Sequence, residues 1–212
     1  MSRKLTLPDA PTPGADRRMQ APSAGRNAGP ILDVLRAHAP ARGRALELAA
    51  GTGEHAVAFS RAFPGLAWQP TDLDPERLAS IEAWRQAEGP DNLLPPRALD
   101  AAHAGWAATE GPVDMILLVN LLHLISDTEA EAVLTGIVQA LGPGGTGFLY
   151  GPFLRDGEAT SPGDAAFHAS LRAQDPAIGY KDLAWVITCL RPLSTTIVEM
   201  PANNLMVIVK AN

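Results

Sequence analysis

Cysteine is almost missing from this sequence, with one residue, Cys189, in 212. A lone thiol forms no internal disulfide and no cysteine-clustered zinc site. Its setting, DLAWVITCL, reads as ordinary apolar packing. Long hydrophobic runs are missing too, and none nears the roughly 18 to 20 residues of a membrane helix. The opening stretch, MSRKLTLPDAPTPGADRRMQ, lacks the apolar core of a secretory leader. Basic charge is in deficit: 17 Lys and Arg stand against 23 Asp and Glu, a formal net charge of −6. With no basic stripe, a nucleic-acid partner is not expected. The five histidines are scattered without ligand-like spacing, so no metal is expected. What is present, 46% hydrophobic and 19% charged residues, is globular composition at the length of one domain. The expectation is a soluble, cytoplasmic chain that handles small molecules.

Residues 1–28, rich in Pro, Gly, Ala and Arg, read as an extended arm before a single domain at 29–212. Pro30 is expected to open the first helix. A short apolar strand at 44–49 then runs into Gly51-Thr52-Gly53, and Ala56, Val57, Phe59 and Phe63 follow at helical spacing. A strand at 66–70 ends near Asp72, and Asp74-Pro75-Glu76 starts a further helix. A strand is expected at 93–99. Residues 113–119 form a continuous apolar run, as in a central parallel strand buried on both faces. A helix at 128–141 leads through the turn Gly142-Pro143-Gly144-Gly145 into a strand at 146–150. Strands alternating with helices imply a parallel sheet. The last two β-rich runs, 195–200 and 205–210, are joined by Pro201-Ala202-Asn203-Asn204, a link that permits only an antiparallel hairpin.

The glycine loop sits where a strand gives way to a helix, the place where an open α/β sheet binds ligands. Glycine there lets the backbone approach a ligand closely. Asp72, about 20 residues on at the next strand end, is placed to hold two ribose hydroxyls. Gly51-x-Gly53-x-x-Ala56 also satisfies the loose dinucleotide pattern. Two features favour S-adenosylmethionine instead: Glu47, a carboxylate inside an apolar strand that needs a purpose and is expected among the residues that hold the cofactor, and the C-terminal hairpin, where a dehydrogenase would continue with parallel strands.

Glu47-Leu48-Ala49-Ala50-Gly51-Thr52-Gly53 resembles the first motif of class I S-adenosylmethionine-dependent methyltransferases. The resemblance implies a Rossmann-like α/β fold, with a mostly parallel seven-stranded sheet closed by an antiparallel hairpin and helices on both faces. It implies Gly51 and Gly53 under the methionine and ribose, with Ala49 beside them and Asp72 on the ribose hydroxyls next to Leu73. It places Asp100 and Ala101 at the adenine, and Asn120 on the methionine side. A narrower set is similar to the methyltransferase-like protein 26 family. Its members are Arg26-Asn27 followed by Pro30-Ile31-Leu32, Gly51-Thr52-Gly53-Glu54-His55-Ala56, Trp68-Gln69-Pro70-Thr71-Asp72-Leu73-Asp74-Pro75, Asn120-Leu121-Leu122-His123, Tyr150-Gly151-Pro152-Phe153 and Met200-Pro201-Ala202-Asn203-Asn204. That resemblance makes the arm bearing Arg26 and Asn27 a lid over the cofactor. It brings no acceptor with it, and Leu124-Ile125-Ser126 departs from the polar, aromatic turn expected after His123.

Methyl transfer is an in-line displacement that alignment alone can drive, so a general base is optional. His123 and Tyr150 are the candidates for proton transfer or orientation. His55 is placed to meet the methionine carboxylate or to cap local backbone. Phe153, Arg172, Asn203 and Asn204 are candidates for acceptor contact, against plainer readings as core, surface ion pair and turn. No Asn/Asp-Pro-Pro-Tyr/Trp clamp follows the strand at 113–119 and no RNA-binding domain is expected, which points to a small-molecule acceptor. The rival readings are a non-catalytic S-adenosylmethionine-binding or regulatory protein, and an NAD(P)-dependent oxidoreductase.

Overall fold

The computed structural model describes residues 5–212. The chain divides into two units. The first takes in the residues up to Asp100 with Val113–Leu117, the second Ala101–Pro112 with Leu118–Asn212.

The first unit opens on an antiparallel ribbon of β1 (Thr12–Pro13) and β2 (Met19–Gln20). Helix α1 spans Pro22–His38, with Pro22 in its first turn, where a missing N–H costs nothing. Pro30 does not open this helix, as the sequence suggested, but lies inside it. The reason is burial: Ala24, Asn27, Ile31 and Leu35 fall on one stripe at helical spacing and are buried, which outweighs the local cost of Gly25, Gly29 and Pro30. Arg26 and Asn27 therefore sit on a helix rather than in an extended arm, while residues 1–4 of that arm lie outside the described residues.

Next come β3 (Gly43–Leu48), α2 (Glu54–Ala62), β4 (Leu66–Asp72), α3 (Pro75–Glu88), β5 (Arg97–Ala98) and β6 (Val113–Val119). Their neighbour order is β5-β4-β3-β6. β3 runs parallel to β4, with Ala45 opposite Trp68 and Glu47 opposite Pro70, and β5 runs parallel to β4. The strand expected at 93–99 shrinks to two residues and an isolated bridge from Leu93 to Trp68. Pro95 and Pro96 explain this, because neither can donate to a ladder. Leu46, Leu48, Phe59, Trp68 and Ile81 are fully buried and form the heart of this unit.

The second unit holds α4 (Ala107–Glu110), the last residues of β6, α5 (Asp127–Ala140), β7 (Leu141–Leu154) and α6 (Pro162–Gln174). It is completed by β8 (Lys181–Asp182), α7 (Leu183–Cys189), β9 (Ser194–Glu199) and β10 (Asn204–Lys210). From the end of β6 the neighbour order is β7, β10, β9. β10 is antiparallel to both β7 and β9, and β8 is parallel to β7. The mostly parallel α/β architecture with antiparallel C-terminal strands is thus present, and β8 is an eighth strand beyond the seven expected. The Gly142–Gly145 stretch falls within the bounds of β7, but Gly144 takes a turn-like φ of 72° and pairing with β10 begins only at Thr146. A reciprocal capping box between Ser126 and Glu129 starts α5 and satisfies two otherwise orphaned donors.

Candidate functional site

The end of β3 builds the first cluster. Ala49, Gly51 and Gly53 all take positive φ, at 50°, 61° and 94°, and this coils the chain tightly from strand into α2. Two bonds fasten the coil to β4: Ala50 N–H donates to Thr71 O at 2.8 Å, and Gly51 N–H to Asp72 Oδ2 at 2.9 Å. Asp72 Oδ1 accepts from Asp74 N–H at 3.0 Å. The carboxylate is 8% exposed, and burial pushes its pKa up, while the Asp74 and Gly51 amides pull it back. Each oxygen therefore spends one lone pair on backbone and keeps acceptor capacity for a hydroxyl.

The two glycines serve different ends. A Cβ on Gly51 would meet only Ala49 O, at 3.9 Å, so the space above it is open. A Cβ on Gly53 would lie 2.8 Å from Ile81 Cα, so Gly53 lets α2 pack against α3.

Glu47 is 2% exposed and accepts from Trp68 Nε1 at 2.7 Å. Burial raises its pKa from 4.5 to about 8, and the Asp72 charge adds to this against the Trp68 hydrogen bond. The folded state thus favours the neutral acid. The stability this contributes is fully present below pH 4.5 and is lost as pH rises towards 8. His55 and His123 act in the opposite sense, since burial lowers them to about 4 and about 3. Their contribution is present above the ordinary histidine value and lost as pH falls. Comparing wild type with Glu47→Gln cancels the histidines. We expect wild type to lose stability relative to Glu47→Gln across that window, with a slope of up to about 1.4 kcal/mol per pH unit in urea unfolding. Parallel pH profiles would mean that Glu47 is ionised in the folded protein.

On α1, Asn27 Oδ1 lies 2.8 Å from His55 Nε2, and the His55 ring stacks on Phe59 at 5.0 Å. Arg26 is exposed and pairs with Asp9. Leu73 is 46% exposed, and Asp100 is partly buried just beyond β5. Sequence reading missed Ser80, whose hydroxyl accepts from Met19 N–H at 2.8 Å and donates to Thr52 O at 2.7 Å. It also missed Trp68 as the partner of Glu47. Parallel register puts their strands side by side, and no local pattern shows that.

The second unit holds its own cluster. Asn120 ends β6 at φ 57° and donates its N–H to Tyr150 O at 2.9 Å. A Cβ on Gly151 would stand 3.6 Å from Asn120 Oδ1 and 3.9 Å from His123 Nδ1, so these two side chains lie over Gly151. His123 is buried and meets Phe167 and Tyr180 edge-on, each at 5.9 Å. Its low pKa comes from burial and from the Lys181 charge. Tyr150 and Phe153 are buried and remain within β7, so neither lies on a loop leaving the strand. Ala101 is buried. Asn203, at φ 59°, donates to Asp164 Oδ2 at 2.9 Å, and Asn204 bonds Pro201 O and Ala202 O within its own turn. Arg172 is exposed in the last turn of α6. Among the described residues no group of three or more His, Cys, Asp or Glu is arranged to hold a metal, and no helix is long and apolar enough to cross a membrane.

Residues 18–211 match the family described as "Protein of unknown function (DUF938)". Among solved structures, the chain is similar to an O-methyltransferase family protein from Burkholderia thailandensis, with TM-score 0.72 and 19% identity over 90% of this chain and 57% of that one. It is similar to an O-methyltransferase family 2 protein from Planctomyces limnophilus, in complex with apigenin, with TM-score 0.74 and 21% identity over 89% and 59%. Human N-acetylserotonin methyltransferase, in complex with S-adenosylmethionine, gives TM-score 0.71 and 14% identity over 90% and 53%. At these identities the likeness is one of fold, and the chain spans 53% to 59% of the length of these three proteins.

Proposed function

This chain belongs to the family described as "Protein of unknown function (DUF938)", and we propose that it transfers the methyl group of S-adenosylmethionine to a small-molecule oxygen, sulfur or nitrogen nucleophile. One observation carries the reading: Asp72 is fastened to the Gly51 amide beside open backbone, with acceptor capacity left over. A buried carboxylate at that place suits a ribose diol. The methyltransferases of the same fold, and the resemblance to the methyltransferase-like protein 26 family, support S-adenosylmethionine over a nicotinamide dinucleotide.

In this reading Gly51 and Ala49 present backbone to the cofactor, and Asp72 holds the ribose hydroxyls with Leu73 beside it. Glu47, expected from the sequence to hold the cofactor, is buried, neutral and bonded to Trp68, so its part is to brace the strand end. Arg26, Asn27 and His55 close the loop side, the last two joined by their 2.8 Å contact. The resemblance also assigns a cofactor role to Asp100, and to Ala101 and Asn120 of the second unit. When bound, the cofactor supplies an electrophilic methyl on sulfonium. The chain's part is to align it and to keep water away. His123, with a pKa of about 3, is a neutral imidazole with a single ring proton at neutral pH and is a weak base. We assign it, with Tyr150, to orientation rather than proton transfer. Phe153, Arg172, Asn203 and Asn204 remain the proposed acceptor contacts.

Isothermal titration of the full chain with S-adenosylhomocysteine, and separately with NADH, tests the cofactor. Micromolar binding of the first with none of the second is expected. Binding of NADH alone would replace the reading with an oxidoreductase. Binding of S-adenosylhomocysteine without turnover on any acceptor would favour a regulatory protein.

A further inference from the structure

Within the second unit a cavity of about 290 Å³ lies beside β8 and the start of α7. Its polar lining is unbalanced in one specific way. Asp127 is bound to the buried Lys181 ammonium at 2.9 Å. Lys181 also donates to Ile125 O at 2.8 Å and Gly179 O at 3.2 Å, so its protons are all used. Asp182 accepts from Gly157 N–H and Ala184 N–H, at 2.7 and 2.9 Å. The acidic groups of the lining are therefore already partnered.

The donors are not. Among the described residues, the Arg172 guanidinium has no carboxylate or carbonyl partner, and the Trp185 indole N–H has no acceptor. His168 Nδ1 accepts from Tyr180 N–H at 2.9 Å, which places the ring proton on Nε2 and makes that nitrogen a donor. Burial and the charges of Arg172 and Lys181 hold this histidine below its ordinary pKa, so the single-proton form persists. Gly179 keeps these groups close. A Cβ there would stand 2.9 Å from His168 Cε1 and 3.3 Å from Arg172 Cγ. Leu154, Ile178 and the faces of Tyr180 and Trp185 supply apolar walls.

We propose that this cavity binds a small organic carboxylate with an apolar or aromatic body, the carboxylate facing Arg172 and the body lying along the tyrosine and tryptophan. A planar guanidinium matches a carboxylate with two parallel hydrogen bonds, which a neutral ligand of the same shape cannot return. The proposal takes up Arg172, one of the acceptor contacts proposed above, and its test is read separately from S-adenosylhomocysteine binding, so the two can fail independently.

Sodium benzoate is the probe and benzamide its uncharged counterpart, each titrated calorimetrically into the full chain and into Arg172→Met. Arg172 is exposed on a helix, so the variant keeps its fold, and the same stem length preserves the packing over Gly179. Benzoate is expected to bind wild type about tenfold or more tightly than benzamide, and to lose at least that factor in Arg172→Met. Trp185→Phe, which keeps the ring and removes the N–H, should weaken benzoate by a smaller factor. Equal affinity for benzoate and benzamide, unchanged benzoate binding in Arg172→Met, or no benzoate binding up to millimolar concentration overturns the assignment.

Discussion

Asp72→Ala is expected to weaken S-adenosylhomocysteine binding by about a hundredfold or more, with the fold retained. Charged hydrogen bonds contribute about 1.5–3 kcal/mol each. Losing two hydroxyl contacts therefore removes roughly 3 kcal/mol, or two decades of affinity. The substitution also frees the Gly51 and Asp74 amides that this carboxylate holds at 2.9 and 3.0 Å, so the loop becomes less well ordered for any ligand. Asp72→Asn, which keeps one acceptor oxygen and removes the charge, should fall between wild type and alanine. Titration calorimetry on the three proteins reads all of this. Full affinity in Asp72→Ala would remove the cofactor site from this loop altogether.

Gly53→Ala should act on stability where Gly51→Ala acts on binding. At Gly53 a side chain meets two costs at once: φ of 94°, and a Cβ 2.8 Å from the Ile81 backbone, which cannot swing aside as a side-chain tip can. Positive φ costs about 1–2 kcal/mol and overpacking about 1–3, so a total of about 2–5 kcal/mol is expected. For a chain of this size that lowers Tm by roughly 4–20 °C. At Gly51, φ is 61° and only Ala49 O, at 3.9 Å, stands near the new methyl. About 1 kcal/mol is the expected stability cost, but the methyl occupies the open space above the loop. Thermal unfolding separates the two variants, and S-adenosylhomocysteine titration should rank them in the reverse order. Equal melting temperatures would show that α2 and α3 can part without penalty.

Local signals in the sequence were legible where one element decided its own form. The apolar run 113–119 became β6 with those same bounds. Asp74-Pro75-Glu76 became the capped start of α3, with Asp74 accepting from Glu76 N–H at 2.8 Å. The Pro201–Asn204 link became the hairpin between β9 and β10. Legibility failed where distant packing decided. The Gly25-Arg26-Asn27-Ala28-Gly29-Pro30 stretch looks like a breaker, yet burial of Asn27 and its stripe makes it helix. Tyr150–Phe153 looks like a strand end, yet pairing with Met206, Leu205 and Asn204 carries the strand onward.

In the candidate site, the glycine loop and Asp72 were legible from spacing, and the structure brings Gly51 and Asp72 into contact. The partners of buried charges were not. Trp68 as the ligand of Glu47 depends on parallel register, and Lys181, which reads as one of a surface group of polar residues, is 3% exposed and bonded to carbonyls of two loops. A lone sequence states that a charge is present, but the fold decides what pays for its burial.

The residues just before α1 show what such distance means for the order of assembly. Met19 and Ala21 donate to Ser80 and Glu54, which lie 61 and 33 residues later, and Met19 O accepts from Trp84, 65 residues on. Asn27 waits 28 residues for His55. During synthesis this segment is made before any of its partners. Its fastening is among the non-local contacts that folding reaches only after closing a long loop. Within this unit, residues made early are thus held in place by residues made later.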